Sequence, residues 1–305
     1  MNTLLTQLNH TNVRQLLWCI ASPELAHGDE VTPLQIPLDS ALIDWLMGLD
    51  QKPDTLMTFL DQNTSKRLGL YFEKIWQFYL MNGPGWRLLN HNLQIIENKK
   101  TLGELDILAS NPSKDCLHIE LAVKFYLLHP DKSGVECAHW LGPQSRDRLD
   151  IKLKTLNEKQ FPILHHPQTQ AAINRLKIPQ PIHQKLALKG YLFSPWQKDY
   201  SLPSKVNPCC LLGEWLHQTD VTNLTQTHEN WIIASKPQWL GPLKLNIYNN
   251  QESTLSKAQV HNAVYEHFAG TPNNHALMLI KVAAKSDHFV ELKRYFIVSD
   301  NWPNI

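Results

Sequence analysis

A pair of alternating stretches, Thr101-Leu-Gly-Glu-Leu-Asp-Ile-Leu-Ala-Ser110 and Cys116-Leu-His-Ile-Glu-Leu-Ala-Val-Lys-Phe-Tyr126, constrains this chain more tightly than any other part of it. Leu117, Ile119, Leu121, Val123 and Phe125 alternate with His118, Glu120, Ala122 and Lys124, and Leu105 and Ile107 alternate with Glu104 and Asp106. A period of two marks a strand with one apolar face. Asn111-Pro-Ser-Lys-Asp115, between the two stretches, is a turn cluster. Together they predict an antiparallel hairpin in which Ser110 faces Cys116, so that the numbers of facing residues sum to 226.

That register sets Asp106 opposite Glu120 and Glu104 opposite Ala122, with Lys124 diagonal to Glu104. Directly opposed side chains have Cβ atoms about 4.5–5.5 Å apart, and like charges there repel. Burying both carboxylates is costly unless a proton or a cation intervenes. A divalent cation with oxygen ligands would relieve the repulsion. A slip of two residues would keep the face and change the partners. The plainer alternative is a solvated sheet face with a Glu104–Lys124 pair, since most surface charge pairs are no more than that. Against it, the run Leu-Ala-Val-Lys-Phe-Tyr-Leu-Leu after Glu120 is too apolar for a strand at the molecular edge.

The composition narrows the class. A length of 305 residues suits one large domain, or a core domain with an accessory one. Charged residues at 19% and hydrophobic ones at 43% exclude a disordered chain. A net charge of +1 excludes a strongly basic nucleic-acid binder, so any such surface is local. The five cysteines are odd in number and form no CxxC pair, which argues against a disulfide framework or a zinc knuckle. No apolar run reaches the length of a membrane span. The amino terminus lacks the basic and apolar regions of a signal peptide. The expected setting is a reducing cytoplasm, with no membrane partner.

Along the chain, residues 1–60 read as mostly helical, with Ser22-Pro23 breaking the helix that begins near Asn12. Residues 67–80 form the clearest helix: Leu68, Phe72, Ile75 and Tyr79 keep helical spacing, and Asn82-Gly-Pro-Gly85 ends it. Glu73 lies on this helix among apolar and aromatic neighbours. Trp86 to Glu97 has strand character, and the hairpin follows. Gly142-Pro-Gln-Ser-Arg146 introduces a helix running through Lys159, with Leu149, Leu153 and Leu156 as its apolar stripe. Arg148, Lys152 and Lys159 make a separate basic stripe, which is ordinarily a solvated face but beside an acidic site would grip a phosphate backbone. Phe161 to Gln184 reads as a long loop with one short helix, and Leu186 to Phe193 as a strand. Residues 276–284 and 289–298 predict a second hairpin joined at Lys285-Ser-Asp-His288. The tryptophans from Trp196 to Trp302 suit either a core or a partner surface.

Between residues 62 and 194 the predicted order is helix–strand–strand–strand–helix–strand. This order resembles the core of the PD-(D/E)XK nuclease superfamily, an α/β (α+β), restriction-endonuclease-like αβββαβ fold. The resemblance implies that Glu73 on the first helix, Asp106 on the second strand, and Glu120 and Lys124 on the third are the catalytic set. It further implies that Asp106 and Glu120 hold Mg²⁺ or Mn²⁺. More closely, the whole chain resembles a bacterial family of unknown function placed in that superfamily. Gly103-Glu-Leu-Asp106, His118 to Tyr126, Leu141-Gly-Pro143, Arg146-Asp-Arg148, Gly190-Tyr-Leu-Phe193 and Arg294 to Pro303 carry the closer likeness. The implied organisation is an amino-terminal helical segment packed on the core (1–61), a nuclease-like core (62–194) and a carboxy-terminal β-containing extension (195–305). One departure stands out. The superfamily spacing is Glu-x-Lys, whereas here it is Glu120-Leu-Ala-Val-Lys124, which places the ammonium about 6–7 Å further along the same face.

The expected function is therefore a divalent-metal-dependent nuclease acting on DNA ahead of RNA, with Arg146, Arg148 and Lys152 gripping flanking phosphates. The alternative is a nuclease-fold protein without catalysis, serving as a nucleic-acid-binding or protein-interaction module. A hydrolase using Glu104 and Glu120 as an acid/base pair stands third.

Overall fold

The structure, a computed structural model, describes residues 1–28, 31–61, 67–247, 254–269 and 275–303. The helices and strands of the first half are α1 (Asn2–Gln7), α2 (Thr11–Ala21), α3 (Ser40–Gln51), α4 (Asp54–Asp61), α5 (Leu68–Asn82), β1 (Arg87–Glu97), β2 (Lys100–Ser110), β3 (Cys116–Leu128) and β4 (Trp140–Leu141). There follow α6 (Leu149–Thr155), α7 (Pro167–Arg175), β5 (Ile182–Pro195), β6 (Leu211–His217), α8 (Val221–Leu224), β7 (Asn230–Ala234), β8 (Lys244–Asn246), α9 (Lys257–Ala269), β9 (Leu277–Lys285) and β10 (His288–Val298). This is a mixed α/β architecture with both parallel and antiparallel strand pairs.

The chain divides into two compact units. The first comprises Met1–Val123, Ile151–Lys189 and Lys205–Cys209; the second comprises Lys124–Asp150, Gly190–Ser204 and Cys210–Ile305. The sequence-based boundary at residue 194 does not coincide with this division. β3 and β5 are long strands, and their ends take different neighbours: β3 pairs with β2 at its start and with β4 at its end, while the end of β5 pairs with β6. The boundary expected after residue 61 abuts residues 62–66, which lie outside the described residues.

In the first unit the helical amino terminus forms as expected. α2 buries Val13, Leu16, Leu17, Trp18 and Ile20 and stops at Ser22, the residue before Pro23. It packs against α3, α4 and α5. α5 buries Phe72, Ile75, Trp76 and Tyr79 and packs on β1, and the Gly83 amide closes its end by donating to the Tyr79 carbonyl. Leu105 and Leu108 of β2 form a separate cluster with Leu164, Ile173 and Ile178. The segment expected as a loop with one short helix thus packs onto the β1–β2 pair through α7 and the turn Pro162–His165. At the start of α3, Asp39 accepts a hydrogen bond from the Leu42 amide at 2.9 Å. Replacing it with Ala should cost about 1 kcal/mol, read as a lower urea midpoint at unchanged slope; an unchanged midpoint would leave the cap without energetic weight.

In the second unit β6 runs parallel to both β5 and β10, while β10 pairs antiparallel with β9 and β9 with β7. The β9–β10 pair is the second hairpin read from the sequence. Its core holds Leu216, Trp231, Val260, Leu279, Tyr295 and Ile297. Trp215, Trp231 and Trp302 are buried, so these tryptophans are packing residues rather than a partner surface. Arg294 is buried as well. It donates to both oxygens of Glu291 and to the carbonyls of Trp239 and Gly241, and it stacks on Tyr191 with its guanidinium carbon 4.2 Å from the ring centre. Gly190 has φ +145°, and a side chain there would collide with the Lys124 carbonyl. Among the described residues no helix is long and apolar enough to cross a membrane.

Candidate functional site

The β2–β3 ladder has the register expected from the alternation: Ser110 faces Cys116, Ala109 faces Leu117, Leu108 faces His118 and Ile107 faces Ile119. It ends there, one position before Asp106 and Glu120. The Leu121 amide donates instead to Asp106 Oδ2 at 2.9 Å, so the carboxylate takes a donor that a ladder would have used. The expected Glu104–Ala122 pairing therefore lies beyond the end of the ladder. Glu104 faces Gln94 of β1.

Glu120 and His118 are both fully buried on β3. His118 Nε2 lies 2.9 Å from Glu120 Oε1, and Gln160 Nε2 donates to Glu120 Oε2 at 2.5 Å. Burial pulls the His118 pKa down to about 4, so the ring is neutral. Its Nδ1 lies 3.4 Å from Gln184 Nε2, which can only donate. The fitting tautomer therefore carries its proton on Nε2 and gives it to Glu120. Gln160 sits at the end of a π turn, Leu156–Gln160, that continues α6. Its Oε1 accepts from Lys152 Nζ at 2.8 Å.

A second pair of carboxylates, Glu73 on α5 and Glu104 on β2, is bridged by Asn92 of β1. Asn92 Nδ2 donates to Glu104 at 2.9 Å and lies 3.4 Å from Glu73 Oε2. Asn92 has φ +51° inside a strand, and its flanking pairs, His91 with Ile107 and Leu93 with Leu105, put it opposite Asp106. A non-glycine residue held in this region is uncommon and is found disproportionately at functional sites. Its Oδ1 faces His91 Nδ1 and Gln77 Nε2, which completes the group.

The electrostatics join the two pairs. Burial, and then the Glu120 charge, raise the Asp106 carboxyl to about 7. Burial likewise raises Glu120, with Glu104 adding to the shift and the Lys152 charge opposing it. Glu73 is raised by burial and by the charges of Asp106 and Glu104, against the Asn92 hydrogen bond. Four carboxylates thus sense one another within the first unit. Among the described residues no group of three or more His, Cys, Asp and Glu side chains closes around a single point.

The other expected site residues lie in the second unit. Lys124 Nζ is 2.6 Å from Asp147 Oδ2, and the Tyr126 hydroxyl approaches the same oxygen at 3.4 Å. Arg148 precedes α6 rather than lying on it, and it forms a bidentate pair with Asp150 at 2.8 and 2.7 Å. Arg146 is exposed. The basic stripe expected from Arg148 through Lys159 is therefore not continuous, because the α-helix begins after Arg148 and widens into the π turn before Lys159. The sequence analysis missed Asn92, His118, Gln160 and Gln184 as site residues. Only His118 carried a signal, since it lies two positions before Glu120 on the same strand face.

Fold and site together define a mixed α/β protein with a cluster of carboxylates, Glu120 fully buried and Glu73, Glu104 and Asp106 partly so, where an antiparallel ladder ends. The family model described as a domain of unknown function (DUF1853) matches residues 14–298, and the chain belongs to that family. Comparison with curated proteins and with solved structures gave no match to either.

Proposed function

We propose that this protein is a divalent-metal-dependent phosphodiesterase acting on nucleic acid, DNA ahead of RNA, built on a restriction-endonuclease-like core. The observation that carries the reading is the meeting of Asp106 and Glu120 where the hairpin ladder ends, both carboxyls raised by burial. The order α5-β1-β2-β3-β4-α6-α7-β5, with Glu73 on the helix and Asp106 and Glu120 on β2 and β3, supports it further, because it departs from helix–strand–strand–strand–helix–strand only by the short β4 and by α7.

The donor set fits a hard cation. Two carboxylates supply anionic oxygens, and Mg²⁺ is commonly held by one or two carboxylates with waters and substrate phosphate completing its shell. Asp106 and Glu120 would hold the ion, which when bound supplies Lewis-acid stabilisation of the phosphate and activates a water. The protein's own work is orientation. The Leu121 amide fixes Asp106, and His118 with Gln160 fixes both oxygens of Glu120. Asn92 sets Glu73 and Glu104 behind them.

A second reading, a nuclease-fold binding module without catalysis, draws on Lys124 and Arg148, whose charges are engaged by Asp147 and Asp150. Calorimetry with Mn²⁺ at pH 8 tests the first. The wild-type chain should bind the ion, Asp106→Ala should not, and labelled DNA duplexes and single strands should be cut only by the wild type. Mn²⁺ binding unchanged in Asp106→Ala would sink the metal assignment. Oligonucleotide binding with no cleavage in any divalent ion would favour the binding module.

A further inference from the structure

The motif lysine of the resembling superfamily would be Lys124, yet its ammonium rests on Asp147 in the second unit. Within the first unit a different lysine is tied to the carboxylates. Lys152 Nζ donates to Gln160 Oε1 at 2.8 Å, and the same amide donates through Nε2 to Glu120 Oε2 at 2.5 Å. On a regular α-helix, residues eight apart are rotated from one another by about 80°. The π turn Leu156–Gln160, closed by the Phe161 amide on the Leu156 carbonyl, widens the last turn and swings Gln160 back over Lys152. Such turns recur at functional sites. Burial raises Asp106 and Glu120, and the Lys152 charge opposes the rise at both. Lys152 is therefore tied to Glu120 through the two ends of one amide, and its charge reaches both carboxylates.

We propose that Lys152, anchored through Gln160 to Glu120, is the cation of this carboxylate site and meets the phosphate drawn in by a divalent ion bound at Asp106 and Glu120. Gln160 is its positioning residue. The assignment rests on the metal-dependent reading above and replaces Lys124 in the role the resemblance implies for it.

The test compares Mn²⁺ binding by the wild type, Lys152→Met, Lys152→Gln, Lys152→Arg and Lys124→Met, each first checked for wild-type melting. Loss of a neighbouring positive charge removes repulsion of the ion, so at pH 8.5, above the range in which protons compete for Asp106 and Glu120, Lys152→Met should bind Mn²⁺ about tenfold more tightly. Lys152→Gln does the same and stands in if the Met variant fails to fold. Lys152→Arg and Lys124→Met should match the wild type. With Ca²⁺ in place of Mn²⁺, Lys152→Met should bind a DNA duplex more weakly, and its salt dependence should lose about one unit of slope. A purely structural lysine would leave Mn²⁺ affinity unchanged or weaken it, and either result overturns the assignment, as does tightening in Lys124→Met instead. Duplex binding equal to wild type overturns the phosphate contact. Failure of the wild type itself to bind Mn²⁺ overturns the metal reading, and this assignment with it.

Discussion

Replacing Asp106 with Asn should make the protein more stable at pH 8 while abolishing its response to Mn²⁺. Burial and the Glu120 charge raise the Asp106 carboxyl to about 7, so the folded state resists its ionisation. A carboxyl raised on folding adds nothing unfavourable below its unfolded pKa of about 4, and its ionisation opposes folding progressively as pH rises through about 7. Asn keeps an oxygen to accept the Leu121 amide and carries no charge to face Glu120. The full shift would be worth about 4 kcal/mol. The pair shares that cost with Glu120 and relaxes by holding a proton, so a gain of about 1–2 kcal/mol at pH 8 is expected, fading towards pH 4. Mn²⁺ should raise the wild-type melting temperature by mass action, more at pH 8 than at pH 6, where protons compete for the same oxygens. It should leave Asp106→Asn unmoved. A variant that is less stable than wild type at pH 8 and still responds to Mn²⁺ would make Asp106 a structural residue.

The parts of this site that were legible in the sequence are those written into strand periodicity. The alternation from Thr101 to Tyr126 and the turn cluster at Asn111–Asp115 fixed the register of the ladder from Ser110–Cys116 to Ile107–Ile119, which stops one position short of Asp106 and Glu120. The breaking of the ladder just there was not legible, because it depends on the Asp106 carboxylate outcompeting a backbone carbonyl for the Leu121 amide. Asn92 was invisible for a related reason: a left-handed residue inside a strand leaves no periodic mark, although Asn tolerates that conformation better than most. Gln160 reaches both Lys152 and Glu120 where α6 widens into a π turn, whereas regular helical spacing turns residue 160 about 80° away from Lys152. The same turn, with the late start of α6 after Arg148, dissolved the basic stripe. Lys124 read as a site cation from its strand face and the resemblance; its partner Asp147 lies 23 residues later, in a stretch expected to be helical but lying before α6 begins at Leu149.

Lys189→Met should be strongly destabilising. Lys189 and Glu24 are almost fully buried, with the ammonium 2.6 Å from Glu24 Oε1 and donating to the Ser22 carbonyl at 2.6 Å. Glu24 Oε2 accepts the Leu188 amide at 2.6 Å, so the pair fastens the chain after α2 to β5. Burial outweighs the attraction of Lys189 and carries the Glu24 carboxyl up to about 7. Without the lysine only the Leu188 amide opposes burial, and the carboxyl rises further. Breaking a buried pair by removing one partner costs about 3–5 kcal/mol. That loss should be read by urea unfolding at pH 8. It should shrink towards pH 5, because a carboxyl with a raised folded pKa ceases to oppose folding as it takes up its proton. The double variant Glu24→Gln/Lys189→Met should recover most of the loss, since Gln still accepts the Leu188 amide and no charge remains. It should not recover all of it, because the Ser22 carbonyl loses its donor. Equal losses in the single and double variants would show that Lys189 acts through packing of its stem and not through the charge it brings to Glu24.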